Sequence, residues 1–414
     1  NYTMASYNIL TKYTMASYNI AMNNKINFEQ IFYRYNPWWE GQFKLDNIIN
    51  REKVLDKLKI NLSTSQIVML SGLRRIGKTT LMKCMIKYLL DTNINPKHIF
   101  YISLDDYLLS NESLLEIIDI YRMIHKISFD EKIYLFLDEI TNQKDFEIQL
   151  KNIYDQGNAK VYASSSGASI LKNKKAFLTG RNTVIEILPL DFEEYLTFKK
   201  INIKKSNNKL LQTYFEDFMQ KGGIPEYVLT DNIEYLKELI DDIIQKDIAN
   251  FYGVKDTQLL KDFFLLLMER SGKIVSINKI AKILNISPDS AKRYLNMFEN
   301  TYLVYLVQRA GKTNERLLSA KKIYAPDLGI RCLFTGFRDK GSLFENYVYF
   351  KIKDKNPSYI YEKGNEIDFI TEDKTLIEVK YNSEMSIKQN ELFNNIKAKK
   401  KIIIKDIFDL EKLN

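Results

Sequence analysis

The stretch from Gln66 to Lys83, QIVMLSGLRRIGKTTLMK, limits what this chain can fold into more than any other. A β-prone apolar run, Ile67 to Leu70, passes into Gly72-x4-Gly77-Lys78-Thr79 and then into a helix-forming stretch, Leu81 to Leu90. Strand, glycine-bounded loop and helix in that order turn backbone N–H groups inward toward an anion, and the helix N-terminus adds partial positive charge. A lysine at this point reaches the β- and γ-phosphates of a nucleotide, and the following threonine hydroxyl holds Mg²⁺. Gly72, Arg75, Gly77, Lys78, Thr79 and Thr80 are the expected nucleotide contacts, with ATP and Mg²⁺ as cofactors.

Downstream the pattern alternates. His98–Leu104 reads as a strand, Glu112–Ile124 as a helix, and Lys132–Leu137 as an apolar strand ending in Asp138-Glu139; Lys160–Ala163 and Val184–Leu188 read as two more strands. Near-continuous apolar strands separated by helices predict an α/β fold, a parallel sheet covered on both faces. A carboxylate at the end of a strand beside a phosphate loop, here Asp138, binds Mg²⁺ directly or through water. Its neighbour Glu139 can polarise the attacking water as general base. The Ser164-Ser165-Ser166 run reads either as a contact to the γ-phosphate or lytic water, or as an ordinary helix cap. Arg181 is either a surface arginine or a finger completing a neighbouring subunit's site in trans.

With 414 residues the chain predicts two to four domains. Its 45% apolar and 27% charged residues are those of a globular protein in water. No uninterrupted apolar run approaches the 18 or so residues of a membrane span. Two cysteines and two histidines make neither a disulfide framework nor a zinc centre, and a reducing cytoplasm is expected. A net charge of +9 suits a nucleic-acid partner, although coding bias toward Lys, Asn and Ile yields the same sign. Tyr2–Ile9 recurs as Tyr13–Ile20, and residues 1–21 are expected to be appended expression sequence, with Met22 as the native start. Trp38 and Trp39, after Asn36-Pro37, either clamp this leading segment onto the sheet domain or lie beside an adenine ring.

Residues 22–189 are thus read as the nucleotide core and 190–255 as a helical lid broken at Gly222-Gly223-Ile224-Pro225-Glu226. Within 256–338, Ile277–Leu284, a turn, Ser287 capping a second helix with Pro288 at its first position, and a strand at Tyr302–Val307 predict a winged helix-turn-helix. Such modules bind DNA or dock proteins; Lys292, Arg293, Arg309 and Lys312 are the phosphate-contact candidates. In 339–414, Glu345, Asp368, Glu378 and Lys380 form the order Glu…Asp-x9-Glu-x-Lys. That set can hold a second Mg²⁺ through Asp368 and Glu378 for phosphodiester hydrolysis. It is also compatible with a fold that has lost cutting, or with a solvated edge strand.

GLRRIGKTT, FLDEI, ASSSGAS, TGR before EILPLDFEEYL, KGGIPEYV, and ENYV…EIDF…IEVK together resemble the archaeal and bacterial AAA+ ATPases that end in a PD-(D/E)xK nuclease-superfamily domain. The resemblance spans roughly residues 28–405, NPWW included. It implies Lys78 and Thr79 at phosphate and Mg²⁺, Asp138-Glu139 as Walker B, Ser166 as sensor, Arg181 as trans finger, and the Glu345, Asp368, Glu378, Lys380 quartet. It further implies a homo-oligomeric ring, hexameric or similar, acting on duplex or branched DNA such as a Holliday junction. Alternatives are a nucleotide-driven signalling switch or an ATP-gated nuclease.

Overall fold

The computed structural model describes residues 28–41, 43–46, 48–110, 112–167, 180–203 and 207–413; the repeated segment 2–20 lies outside them. The chain divides into two compact units. Of the described residues, one unit comprises those within 28–71, 77–165 and 180–186; the other comprises those within 72–76, 166–167 and 187–413. The division at Glu186/Ile187 falls three residues before the expected boundary at 189/190. The contacts do not separate the lid, helix-turn-helix and C-terminal segments from one another.

The first unit is built on five strands, β1 (Ile67–Ser71), β2 (Ile99–Ser103), β3 (Ile133–Asp138), β4 (Ala159–Ser165) and β5 (Asn182–Glu186). They are parallel, in the order β2-β3-β4-β1-β5. All five residues of β1 are buried, as a strand covered on both faces requires. This order seats β4 between β1 and β3. Ser71 at the end of β1 and the carboxylate ending β3 therefore flank the serines ending β4.

Strand β2 is an edge, and its free backbone groups need partners. Asn36, fully buried, supplies two of them. Its side chain accepts from the Tyr101 N–H at 2.7 Å and donates to the Tyr101 carbonyl at 2.9 Å, as a neighbouring strand would. The indole N–H groups of Trp38 and Trp39 both reach the Ile99 carbonyl, at 3.1 and 3.0 Å. Trp39 also stacks on Phe100 and Tyr121. The paired tryptophans are thus a clamp on the sheet edge.

The second unit opens with helices and carries two small sheets. Helices Thr257–Met268, Ile277–Ile283 and Pro288–Asn300 accompany β6 (Lys273–Val275), β7 (Tyr305–Val307) and β8 (Lys321–Tyr324), which form an antiparallel sheet ordered β6-β8-β7. The Ser287 side chain accepts from the Ser290 N–H at 3.1 Å with Pro288 next, so that helix begins as its sequence predicts. A short helix, Thr313–Leu318, occupies the expected hairpin tip between β7 and β8. After helix Lys340–Ile352 come β9 (Ser358–Glu362), β10 (Asn365–Ile370), β11 (Thr375–Val379) and β12 (Lys400–Ile404), ordered β12-β11-β10-β9. Strands β9 to β11 are antiparallel, and β12 returns parallel to β11 after helix Ile387–Asn395. Residues 308–310 extend the pairing along β9: Tyr359 N–H donates to the Gln308 carbonyl at 3.0 Å, and Ala310 N–H to the Tyr359 carbonyl at 2.7 Å. These main-chain bonds join the two small sheets.

The Gly222-Gly223 break is a junction. The buried Asp327 carboxylate accepts from the Gly223 N–H at 2.6 Å and the Ile330 N–H at 3.0 Å, while the Gly223 carbonyl receives the Leu190 N–H at 2.8 Å. Gly329 lies so close to the end of helix Asn208–Lys221 that a Cβ there would sit 1.9 Å from the Lys221 carbonyl oxygen. Gly329→Ala should therefore destabilise this unit by about 1–3 kcal/mol, read as a lower urea midpoint; an unchanged midpoint would mean the helix end can move aside.

Candidate functional site

At the C-terminal edge of the parallel sheet, Ser71 hands over to the loop. Gly72 adopts φ +142°, and a Cβ on it would lie 2.4 Å from the Ile187 carbonyl oxygen, so no larger residue fits this turn. Gly77, at φ +97°, caps helix Lys78–Asp91, and its carbonyl accepts the Leu81 N–H at 2.9 Å. Lys78 is buried at the first turn of that helix, Thr79 is half-buried and Thr80 is exposed.

Three hydroxyls converge on Asp138, which is 3% exposed. Thr79 Oγ1 donates to Oδ2 at 2.6 Å and Tyr101 Oη to the same oxygen at 2.9 Å, while Ser164 Oγ donates closely to Oδ1. Burial, together with the Asp138 charge, pushes the Tyr101 hydroxyl far above its ordinary pKa, so it remains a donor. Ser164 also accepts the Glu139 N–H at 2.9 Å, which helps hold Glu139 in a left-handed conformation with φ 51°. Thr79 and Asp138 form a hard-oxygen pair beside the phosphate loop. That donor set fits Mg²⁺, whose remaining ligands come from phosphate and water.

Sequence reasoning put weight on Ser166, which follows the end of β4. The serine that bridges Asp138 and Glu139 is Ser164, two residues earlier. The strand period of two puts Ser164 and Ser166 on one face, so alternation alone does not choose between them. The β1–β4 and β3–β4 pairings set Ser164 opposite Leu70 and one residue beyond the Leu137–Ala163 pair, which is how it comes to bridge Asp138 and Glu139. Tyr101 carried no motif and was not foreseen.

Arg181 stands just before β5, and its carbonyl accepts the Ile67 N–H at the start of β1. It is therefore at the opposite end of the sheet from Asp138, about a strand's length or ~16 Å away. Its guanidinium pairs with Asp155 at 3.0 Å over the Tyr154 ring. Arg75, also in a left-handed conformation, bonds Asp242 at 2.9 Å and packs over Tyr235; its neighbour Arg74 bonds Asp247 at 2.7 Å. Of the phosphate-contact candidates, Lys292, Arg293 and Lys312 are exposed. Arg309 instead donates to the Tyr361 carbonyl at 2.6 Å.

The C-terminal quartet does come together. The Asp368 N–H donates to Glu378 Oε2 at 3.2 Å, Glu378 Oε1 receives the Lys380 ammonium at 2.5 Å, and Asp368 Oδ2 accepts the Val379 N–H at 2.9 Å. Gln389 adds a bond to Glu378 at 2.6 Å. Burial, reinforced by the Asp368 charge, pushes both Glu345 and Glu378 upward from the usual carboxylate range, against the opposing pull of Lys322 and Lys380. The residue not foreseen is Lys322. Only 1% exposed, its ammonium touches Glu345 at 2.5 Å, Asp368 at 3.0 Å and Glu366 closely. Among the described residues no group of three or more His, Cys, Asp or Glu is disposed to hold a metal ion. At the position expected for Mg²⁺, between Asp368 and Glu378, the donor set is already engaged as folded. The oxygens such an ion needs already face ammonium and N–H donors.

Comparisons with known proteins bear on the region that carries the phosphate loop. A family model described as an AAA domain matches residues 64–196, and a domain of unknown function, DUF8612, matches 212–341. The uncharacterized protein MJ1544 of Methanocaldococcus jannaschii is 30% identical over 396 residues, 90% of this chain and 85% of the relative. An uncharacterized protein of Haemophilus influenzae is 29% identical over 341 residues, 78% of this chain and 84% of its own length. Among solved structures, the Walker-type ATPase PABY2304 of Pyrococcus abyssi aligns with a TM-score of 0.46 at 14% identity, covering 70% of this chain and 97% of that one. This chain belongs to the same family as MJ1544, and residues 64–196 form an AAA-family P-loop ATPase domain.

Proposed function

We propose that this protein is an ATP hydrolase that works as a homo-oligomeric ring and binds and remodels duplex or branched DNA, Holliday junctions included. The observation that carries the ATPase reading is the contact of Thr79 with Asp138, bridged onward to Glu139 by Ser164. Lys78 binds the β- and γ-phosphates, and Thr79 and Asp138 hold Mg²⁺. Bound there, Mg²⁺ supplies charge that neutralises the transferring phosphoryl group. Glu139 orients the attacking water and takes its proton. Ser164 keeps the Asp138 carboxylate and the Glu139 backbone in register as charge moves.

The ring reading is supported by the place of Arg181. It stands at the far end of its own sheet from Asp138, so in this reading it would leave Asp155 and enter a neighbouring subunit's site. The DNA reading is supported by the net charge of +9 and by the segment from Thr257 to Tyr324. Its helix, strand, two helices and hairpin follow the plan of a winged helix, with Lys292 and Arg293 exposed on helix Pro288–Asn300. The C-terminal sheet with helices Lys340–Ile352 and Ile387–Asn395 supports a PD-(D/E)xK-type fold beside it.

Glu139→Gln should bind ATP and hydrolyse it about 10²–10⁴-fold more slowly, measured as phosphate release. Ser164→Ala should slow turnover by about tenfold, equivalent to ~1.4 kcal/mol, with nucleotide affinity little changed. Turnover should rise with one form in a panel of single-stranded, duplex and four-way-junction DNA; indifference to all of them would overturn the remodelling reading. Lys292, Arg293 and Lys312 replaced together by Ala should weaken DNA binding at low salt and flatten its log-log salt dependence by about 2–3. Unchanged binding would remove this segment from the interface.

A further inference from the structure

The C-terminal carboxylates resemble a metal-dependent hydrolytic site in order, yet the position on which they converge is filled. Lys322 lies on β8, the central strand of the β6-β8-β7 sheet, opposite Ile274 on one side and Val307 on the other. Its side chain leaves that sheet and ends among Glu345, Glu366 and Asp368, carboxylates borne by helix Lys340–Ile352 and by β10. An ammonium has three donors. Each of these three carboxylates lies within ion-pair distance of it.

The other acceptors are also engaged. Asp368 Oδ2 is taken by the Val379 N–H. Glu378 Oε1 is taken by Lys380 and Gln389, and its Oε2 by the Asp368 N–H. Tyr324, two residues on from Lys322, donates to Glu345 at 2.5 Å. A divalent cation entering here would have to displace a 1%-exposed ammonium and meet its charge at contact distance. Desolvated like charges that close repel strongly.

We infer that Lys322 is the resident cation of this cluster, standing in place of a divalent metal, so that the C-terminal domain neither binds Mg²⁺ at Asp368 and Glu378 nor cleaves phosphodiesters. The inference rests on the cluster alone and stands whether or not the ATPase acts on DNA. It assigns Lys322 a positioning role. The lysine couples the β6-β8-β7 sheet to helix Lys340–Ile352 and β10, and leaves the domain a binding surface without a cutting centre.

The test is a Mn²⁺ titration of the full-length, nucleotide-free protein followed by electron paramagnetic resonance, with cleavage of duplex and four-way-junction DNA assayed in Mg²⁺ and in Mn²⁺. Wild type and Asp368→Asn should give the same isotherm, and neither should cut. One more Mn²⁺ per chain in wild type than in Asp368→Asn, or cleavage that Asp368→Asn abolishes, would overturn the inference. Lys322→Met should gain one Mn²⁺ per chain, lost again in Lys322→Met/Asp368→Asn, and Mn²⁺ should raise the melting temperature of Lys322→Met by more than that of Lys322→Met/Asp368→Asn. A folded Lys322→Met chain that gains no Mn²⁺ would show that the lysine does not stand in for an ion. If Lys322→Met does not fold, because three carboxylates lose their partner at once, the comparison of wild type with Asp368→Asn still decides.

Discussion

The first unit depends on keeping one buried carboxylate satisfied. Asp138 ends a strand, is almost wholly withdrawn from water, and receives three hydroxyls from three different elements: Thr79 from the helix after the loop, Tyr101 from β2 and Ser164 from β4. An unpaired buried polar group costs roughly 1–3 kcal/mol, and a charged one more. The relative positions of helix, edge strand and central strands are therefore coupled through this single side chain. The strand order makes the coupling possible, because β4 lies between the strand that leads into the loop and the strand that ends in Asp138.

The second unit solves a similar problem differently. Its acidic cluster gathers Glu345, Glu366, Asp368 and Glu378, and two ammonium groups, those of Lys322 and Lys380, pair with them. Hydroxyl donors satisfy a carboxylate without bringing positive charge to it, which leaves room for a cation. Ammonium partners bring that charge with them. Two acidic sites that look alike in sequence thus have opposite electrostatic characters. At the Gly222-Gly223 junction the same accounting is met with backbone N–H groups, which only partly offset the burial that pushes the Asp327 carboxyl up to about 6.

Local chemistry made much of this legible in advance. The strand-loop-helix, the apolar strand ending in Asp138-Glu139, the Ser287-Pro288 helix start and the hairpin carrying Asp368 and Glu378 each announce themselves within a few residues. Their signals are backbone conformation, capping and period, which are short-range. The tryptophan pair was legible only as a choice between a clamp and a base contact. The sheet edge settles it, since the bare carbonyl of Ile99 on β2 is where both indoles donate.

What the sequence by itself determined is the P-loop, the carboxylates and their order along the chain, because glycine tolerance and strand termination are local properties. What only the tertiary structure decided is which distant side chains complete each carboxylate site. Tyr101 lies 37 residues from Asp138 along the chain, and Lys322 lies 46 from Asp368. Neither belongs to a motif, for a tyrosine in a strand or a lysine in a hairpin is ordinary until folding brings it against a charge. The physical reason is that a buried carboxylate must be matched somewhere, while the sequence leaves open whether a hydroxyl, a backbone N–H or an ammonium will do it.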